Sequence, residues 1–347
     1  MTKILFSAVA ALFVVSPAIA ADGPISTLMA AAKFEGEVVA MKGDTTLFQT
    51  RRLPNGSPAL WRWASVTKQV VATLIMQEVA KGSIDLDKPV ALYLPTFKSP
   101  NAAKITVRQL LRHQSGLPNP DDTKAGKDGV PAYYAKVDKA LQNPLTGYCA
   151  GPVKGEAGGN WSYNNCDYMV AGALLEAVTK TPWQKLVNER IAKSLGLKSL
   201  AAFPATAATV KGKVGGKPEA RYKFDTFGAA AGLYGTAADL LKFDRALMTG
   251  KLLPEAQRAE MWDGQPNLGF IALGQWSFGA ELKGCATPVR IIERRGGIGG
   301  VQVRNFILPD ADVAVVAFTN HDDFDFGEIW QGKGFSFDLL SAAACAS

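Results

Sequence analysis

Histidine is scarce in this chain: 347 residues hold only His113 and His321, and both lie far along the sequence from its four cysteines. No C-x-x-C pair occurs, so the usual ligand sets of a zinc site are missing, and neither a metal nor another cofactor is expected. A G-x-S-x-G elbow is also absent, which with so few histidines sets aside a Ser-His-Asp hydrolase. No repeat or low-complexity segment stands out. Past the first twenty residues no apolar stretch is long enough to cross a bilayer. A hydrophobic content of 48% over this length supplies one large core or two modest ones, as a folded globular protein needs.

What is present begins with MTKILFSAVAALFVVSPAIA, one lysine followed by an apolar stretch too short to span and flank a membrane. It ends small-x-small at Ala18-Ile19-Ala20, which predicts a secretory signal over residues 1–20, cleaved before Ala21, rather than an N-terminal anchor. The mature chain is then exported, to the periplasm or the medium, where thiols pair. Four cysteines allow three connectivities; nearness favours Cys149 with Cys166, leaving Cys285 with Cys345. The net charge of +7 favours anionic partners such as cell-wall polymers or membrane surfaces. Its positive residues are scattered except in KGKVGGKPEAR from Lys211, which reads as a solvated loop rather than a nucleic-acid site.

The pattern along the chain predicts sheet at both ends and helix between. FEGEVVAMKGDTTLFQT, from Phe34, reads as a hairpin turning at Lys-Gly-Asp. Val70, Val71, Leu74, Ile75 and Val79 recur at helical spacing after Ser65, and Gly82 closes that helix. From about 105 to 224 the chain reads as short helices and turn-rich loops, a largely helical insertion. A helix follows at Thr236 to Thr249, then strands from Val289, Val301 and Val313, the last two flanking a Pro-Asp-Ala-Asp turn, and a final helix within Phe335 to Ala344. The sheet part thus covers about 21–104 and 225–347, an α/β (α+β) arrangement in which antiparallel strands carry a mostly helical domain.

Three stretches carry chemistry. WRWASVTKQVV places Ser65 three residues before Lys68, on one helix face. A serine attacks an acyl carbon only when something takes its proton, and a desolvated, neutral lysine one turn away can do so; a helix cap at Ser65 is the plain alternative. WSYNNCDYMV offers Tyr163, whose phenol can shuttle a proton, and Asn165, whose amide can hold the lysine or a substrate carbonyl; polar caps with a buried aromatic are the alternative there. ERRGGIGGVQV supplies glycines that let backbone approach a substrate, or simply a tight turn. It lacks the spacing and the Lys-Ser/Thr ending of a phosphate loop.

These motifs, in this order, resemble the serine hydrolases of the class C beta-lactamase and penicillin-binding-protein family, whose signature includes S-x-x-K. The likeness extends through SIDLDKPVALYLPTF, ITVRQLLRHQSGLP and GTAADLLKFDRALMTGKLL, over nearly the whole mature chain. It implies a beta-lactamase/transpeptidase-like fold with the active site between sheet and helical parts, and an acyl-enzyme on Ser65. Lys68 becomes the activating base and Tyr163 the proton shuttle, with Asn165 beside it. The N–H groups of Ser65 and Gly297 form the oxyanion hole, and His113 organises a loop. The family's third motif usually starts Lys-Thr-Gly or His-Thr-Gly, whereas Arg294, Arg295 and Gly296 stand here, and Asn164 replaces a common serine. Arginine does not titrate but clamps carboxylates, so the departure counts against standard beta-lactamase turnover and leaves carboxylate-bearing acyl substrates open.

The expected function is an exported serine hydrolase acting on an ester or amide: a D-amino-acid peptide, a small ester or a beta-lactam. The alternative is an inactive binding protein that holds an anionic ligand in an arginine-lined cleft. Trp61, Tyr148 and Trp161 are candidate cleft walls.

Overall fold

The computed structural model describes residues 23–345; the expected signal at residues 1–20 and its cleavage point before Ala21 lie outside them. Its frame is a six-stranded antiparallel sheet of β1 (Gly36–Lys42), β2 (Thr45–Arg52), β3 (Trp276–Ala280), β4 (Val289–Ile298), β5 (Val301–Leu308) and β6 (Val313–Thr319). The strand order is β2-β1-β6-β5-β4-β3, so the two ends of the chain meet where β1 pairs with β6. The helices that matter are α1 (Pro24–Ala31), α2 (Thr67–Ala80), α3 (Asn165–Thr179), α4 (Ala237–Met248) and α5 (Phe335–Cys345).

β6 is buried on both faces, so alternate side chains enter different cores. Val315 and Ala317 join Val38, Ile291 and Phe306 behind the sheet, where α1 and α5 pack. Val316 and Phe318 join Val39, Ile292 and Val303 in front, beneath α2, α3 and α4. The predicted hairpin turns at Gly43, φ +56°. The predicted helix after Ser65 ends at Ala80, with Gly82 at φ +73° just beyond. Thr236 caps α4 by accepting a hydrogen bond from the Asp239 N–H.

Strand β3 has no counterpart in the sequence reading: five residues with a glycine among them carry too little alternation to register. Within 105–224 only α3 is long, and its Val170 and Leu174 share the front core with Val70 and Leu74 of α2. The Lys211 segment is largely exposed, as expected of a solvated loop, but it is tied down: Lys213–Val214 and Lys217–Pro218 pair as a small hairpin, and Gly212 lies against the Gly299 carbonyl so closely that a β-carbon would fall 1.8 Å from it. The disulfides join Cys149 to Cys166 and Cys285 to Cys345, the pairing favoured by nearness. Among the described residues no helix is long and apolar enough to cross a membrane.

Candidate active site

Ser65 lies in a 3-10 turn, Ala64–Val66, that leads into α2, and its side chain caps nothing. Ala64 before it sits at φ +46°, a left-handed conformation that costs a non-glycine residue about 1–2 kcal/mol. Complete burial of Trp63, Ala64 and Val66 holds it there. The turn directs the Ser65 hydroxyl toward α3, where Tyr163 Oη stands 2.5 Å from Ser65 Oγ. Asn164 caps α3 by accepting the Cys166 N–H at 2.8 Å, so the residue that departs from the family pattern does the capping. Tyr163 and Asn165 are left to face Ser65 and Lys68.

Lys68, in the first turn of α2 and three residues beyond Ser65, is fully buried. Its Nζ reaches Asn165 Oδ1 at 2.6 Å, Tyr163 Oη at 2.7 Å, the Ala230 carbonyl at 3.0 Å and Ser65 Oγ at 3.3 Å. Burial first, and then the positive charge of Arg294, hold its pKa well below the lysine range. Burial pushes the Tyr163 phenol up, with Arg294 and Ser65 opposing, so it stays protonated at neutral pH. The arrangement is a desolvated amine of lowered pKa and a protonated phenol converging on one hydroxyl.

Arg294 is wholly buried, with its Nε donating to the Ser65 carbonyl at 2.9 Å and Nη2 to Tyr163 Oη at 3.3 Å. Arg295 corrects the expected two-arginine clamp. Adjacent strand residues point to opposite faces, and Arg295 lies away from Ser65, paired with Glu293 and Glu328 and stacked between Trp276 and Trp330. Gly296 is where the strand touches the nucleophile turn: a β-carbon there would fall 2.9 Å from Ser65 N and 3.0 Å from the Trp63 carbonyl. Gly297 lines the cleft beside Ser65. Gly299 and Gly300, at φ +55° and +84°, make the tight β4–β5 turn.

The cleft holds about 420 Å³ in front of Ser65. Its walls differ from those expected. Trp61 is in the core, donating to Glu37 and stacked on Phe318. Tyr148 donates to the Asn119 carbonyl, and Trp161 packs by His113 and Trp276; neither lines the cleft. Asp121, Tyr134, Tyr222, Phe227 and Asp322 line it instead, and nothing in their spacing marked them, because separate loops bring them together. His113 is buried with Nδ1 2.9 Å from Asp167 beneath Tyr163. Burial, then Arg294 and Lys68, push its pKa well below the usual value, so it is neutral.

A serine hydroxyl, a buried amine and a phenol converge on a shared sheet-and-helix frame, and similarity to known proteins places that frame among the serine hydrolases. The beta-lactamase family profile matches residues 25–332, and the chain belongs to that family, with a beta-lactamase/transpeptidase-like fold. A putative penicillin-binding protein of Bacillus subtilis (strain 168) is 26% identical over 298 residues, 82% of this chain and 68% of the relative. The esterase EstB of Burkholderia gladioli is 28% identical over 176 residues, 47% of this chain and 43% of the relative. The chain spans between 43% and 68% of the length of such curated relatives. A D-stereospecific amidohydrolase from Streptomyces sp. superposes with TM-score 0.71 at 26% identity, covering 93% of this chain and 98% of that one. A D-amino acid amidase from Ochrobactrum anthropi SV3 shares the fold with TM-score 0.73 at 21% identity, over 92% and 96%.

Proposed function

We propose that this protein hydrolyses small esters or amides through an acyl-enzyme on Ser65. The observation that carries the proposal is the contact set of Lys68, a desolvated amine within reach of both Ser65 Oγ and Tyr163 Oη. As Ser65 Oγ bonds to the acyl carbon, its proton passes to Lys68 directly or through Tyr163. The carbonyl oxygen takes the developing charge at the Ser65 and Gly297 N–H groups. Lys68, through Tyr163, returns the proton to the departing alcohol or amine, and water then repeats the steps to free the acid. Burial and then Arg294 lower the Lys68 pKa toward the neutral amine this step needs, and Arg294 holds the phenol in line.

Export, with Ala21 as the first mature residue, completes the reading and agrees with two disulfides. The arginine-lined cleft for an anionic ligand that would favour a binding protein is not formed, since Arg294 is buried and Arg295 is paired with glutamates. The test is steady-state hydrolysis of p-nitrophenyl acetate and of p-nitroanilide amides by wild type and Ser65→Ala. Turnover that disappears in the variant is expected. A folded Ser65→Ala protein that turns substrate over at the wild-type rate sinks the assignment.

A further inference from the structure

The charge that lines the cleft has the opposite sign from the one a carboxylate-bearing substrate needs. On a chain of net charge +7, the ionisable side chains facing the cavity, apart from its tyrosines, are two carboxylates, Asp121 and Asp322. The nearby Lys68 amine and Arg294 guanidinium lie fully buried and do not line it.

Asp121 is poised rather than neutralised. Its oxygens accept from Asn165 Nδ2 at 3.0 and 3.2 Å and from the Tyr134 hydroxyl at 2.6 Å, all neutral donors. Asp322 accepts only the Gly215 N–H, at 3.0 Å. Among the described residues neither carboxylate has a lysine, arginine or histidine nitrogen within 4.0 Å, unlike Glu219, Glu293, Glu328 and Glu35, which are ion-paired. Asn165 connects Asp121 to the site, donating from Nδ2 to the carboxylate and accepting at Oδ1 from Lys68 Nζ. The wall beside Asp121 is aromatic: Tyr134 stacks on Phe227 with ring centres 3.9 Å apart, and Tyr222 packs 6.2 Å from Phe227. A carboxylate flanked by aromatic faces is the chemistry that holds an ammonium.

We propose that the acyl group accepted by this cleft carries a free, protonated amine: the substrate is an amino acid amide or ester with its amino group unblocked, held by Asp121, with Asp322 adding to the negative charge of the lining. The inference rests on the hydrolase reading above and names its substrate class. One water is consumed, the acyl C–N or C–O bond breaks, and the products are the free amino acid and an amine or alcohol. Acyl donors that end in a carboxylate are repelled by the same two groups.

The experiment compares kcat/KM for alanine p-nitroanilide, in both enantiomers, with that for the N-acetyl and N-succinyl derivatives. The unblocked substrate is expected to lead by at least about tenfold, the scale of one charged hydrogen bond. That lead should shrink as pH rises through the substrate amine, near pH 8. Asp121→Asn should remove most of it and Asp322→Asn a smaller part, each read as the ratio within one variant. Blocked substrates that match or exceed the free amine, or a ratio unmoved by both variants, overturn the proposal. Wild-type turnover of uncharged p-nitrophenyl acetate, lost in Ser65→Ala, reports separately on the hydrolase reading. If no anilide is turned over, calorimetric titration of Ser65→Ala protein with alanine amide and with N-acetylalanine decides the matter: tighter binding of the amide supports the inference and tighter binding of the N-acetyl acid refutes it.

Discussion

Arg294 and Arg295 are neighbours on β4, yet they live in different chemical worlds. Arg294 faces α2 and the Ser65 turn, wholly buried, bonded to a carbonyl and a phenol, and among the described residues its Nη1 has no partner and no carboxylate pairs with it. Arg295 faces the other way, held by Glu293 and Glu328 between two tryptophans. The front of the strand therefore carries an uncompensated positive charge that depresses Lys68, while the back carries a neutralised one that ties β4 to the segment around Glu328. A charge keeps its field for chemistry only where counter-ions are excluded.

The largest effect that sharpens this contrast is expected from Lys68→Ala, which removes the proposed base on the front face and should lower kcat by about 10²–10⁴-fold with the fold intact by circular dichroism. Gly296→Ala should come close behind, because its methyl group would press on Ser65 N at 2.9 Å; Gly297→Ala, with no neighbour nearer than 3.8 Å, should cost far less in the same assay. Arg294→Ala should reduce kcat/KM by about 10–100-fold through loss of charged hydrogen bonds. Arg294→Ala should also shift the acid limb of the pH profile upward: with the guanidinium gone Lys68 protonates more easily, so activity fails at higher pH as pH is lowered. Arg295→Ala should act in reverse, leaving kcat/KM within about threefold while lowering unfolding stability by about 2–3 kcal/mol, since Glu293 loses its main partner, as chemical denaturation would show. The smallest effect concerns Asp244, buried in the front core against Asn305, whose carboxyl burial holds well above its usual pKa. A raised carboxyl pKa means stability falls as pH rises from the unfolded value toward the folded one, so Asp244→Asn should raise Tm, by a margin that grows from pH 5 to pH 8.

Much of the front face was legible in the sequence, because its signals are local. Ser65 and Lys68 share a helix turn, and Tyr163 with Asn165 precedes a periodic apolar run. The back face was misread at one point where the sequence did hold the answer: strand alternation sends Arg294 and Arg295 to opposite sides, and a two-arginine clamp ignores it. Trp61, taken as a cleft wall, belongs to a two-residue strand whose burial depends on Phe318, more than 250 positions away. Asp121, Tyr222 and Asp322 were invisible, since each sits in a loop whose place over Ser65 is set by tertiary packing alone. β3 was lost for a different reason, its brevity.

The measurement that tests the central claim most directly is the intact mass of the protein after treatment with a fluorophosphonate, across pH, for wild type, Ser65→Ala and Lys68→Ala. The account predicts one adduct on wild type, absent from both variants, with a labelling rate that falls as pH is lowered through the depressed Lys68 pKa. A folded wild-type protein that takes no label, or a Lys68→Ala protein labelled at the wild-type rate, would contradict it.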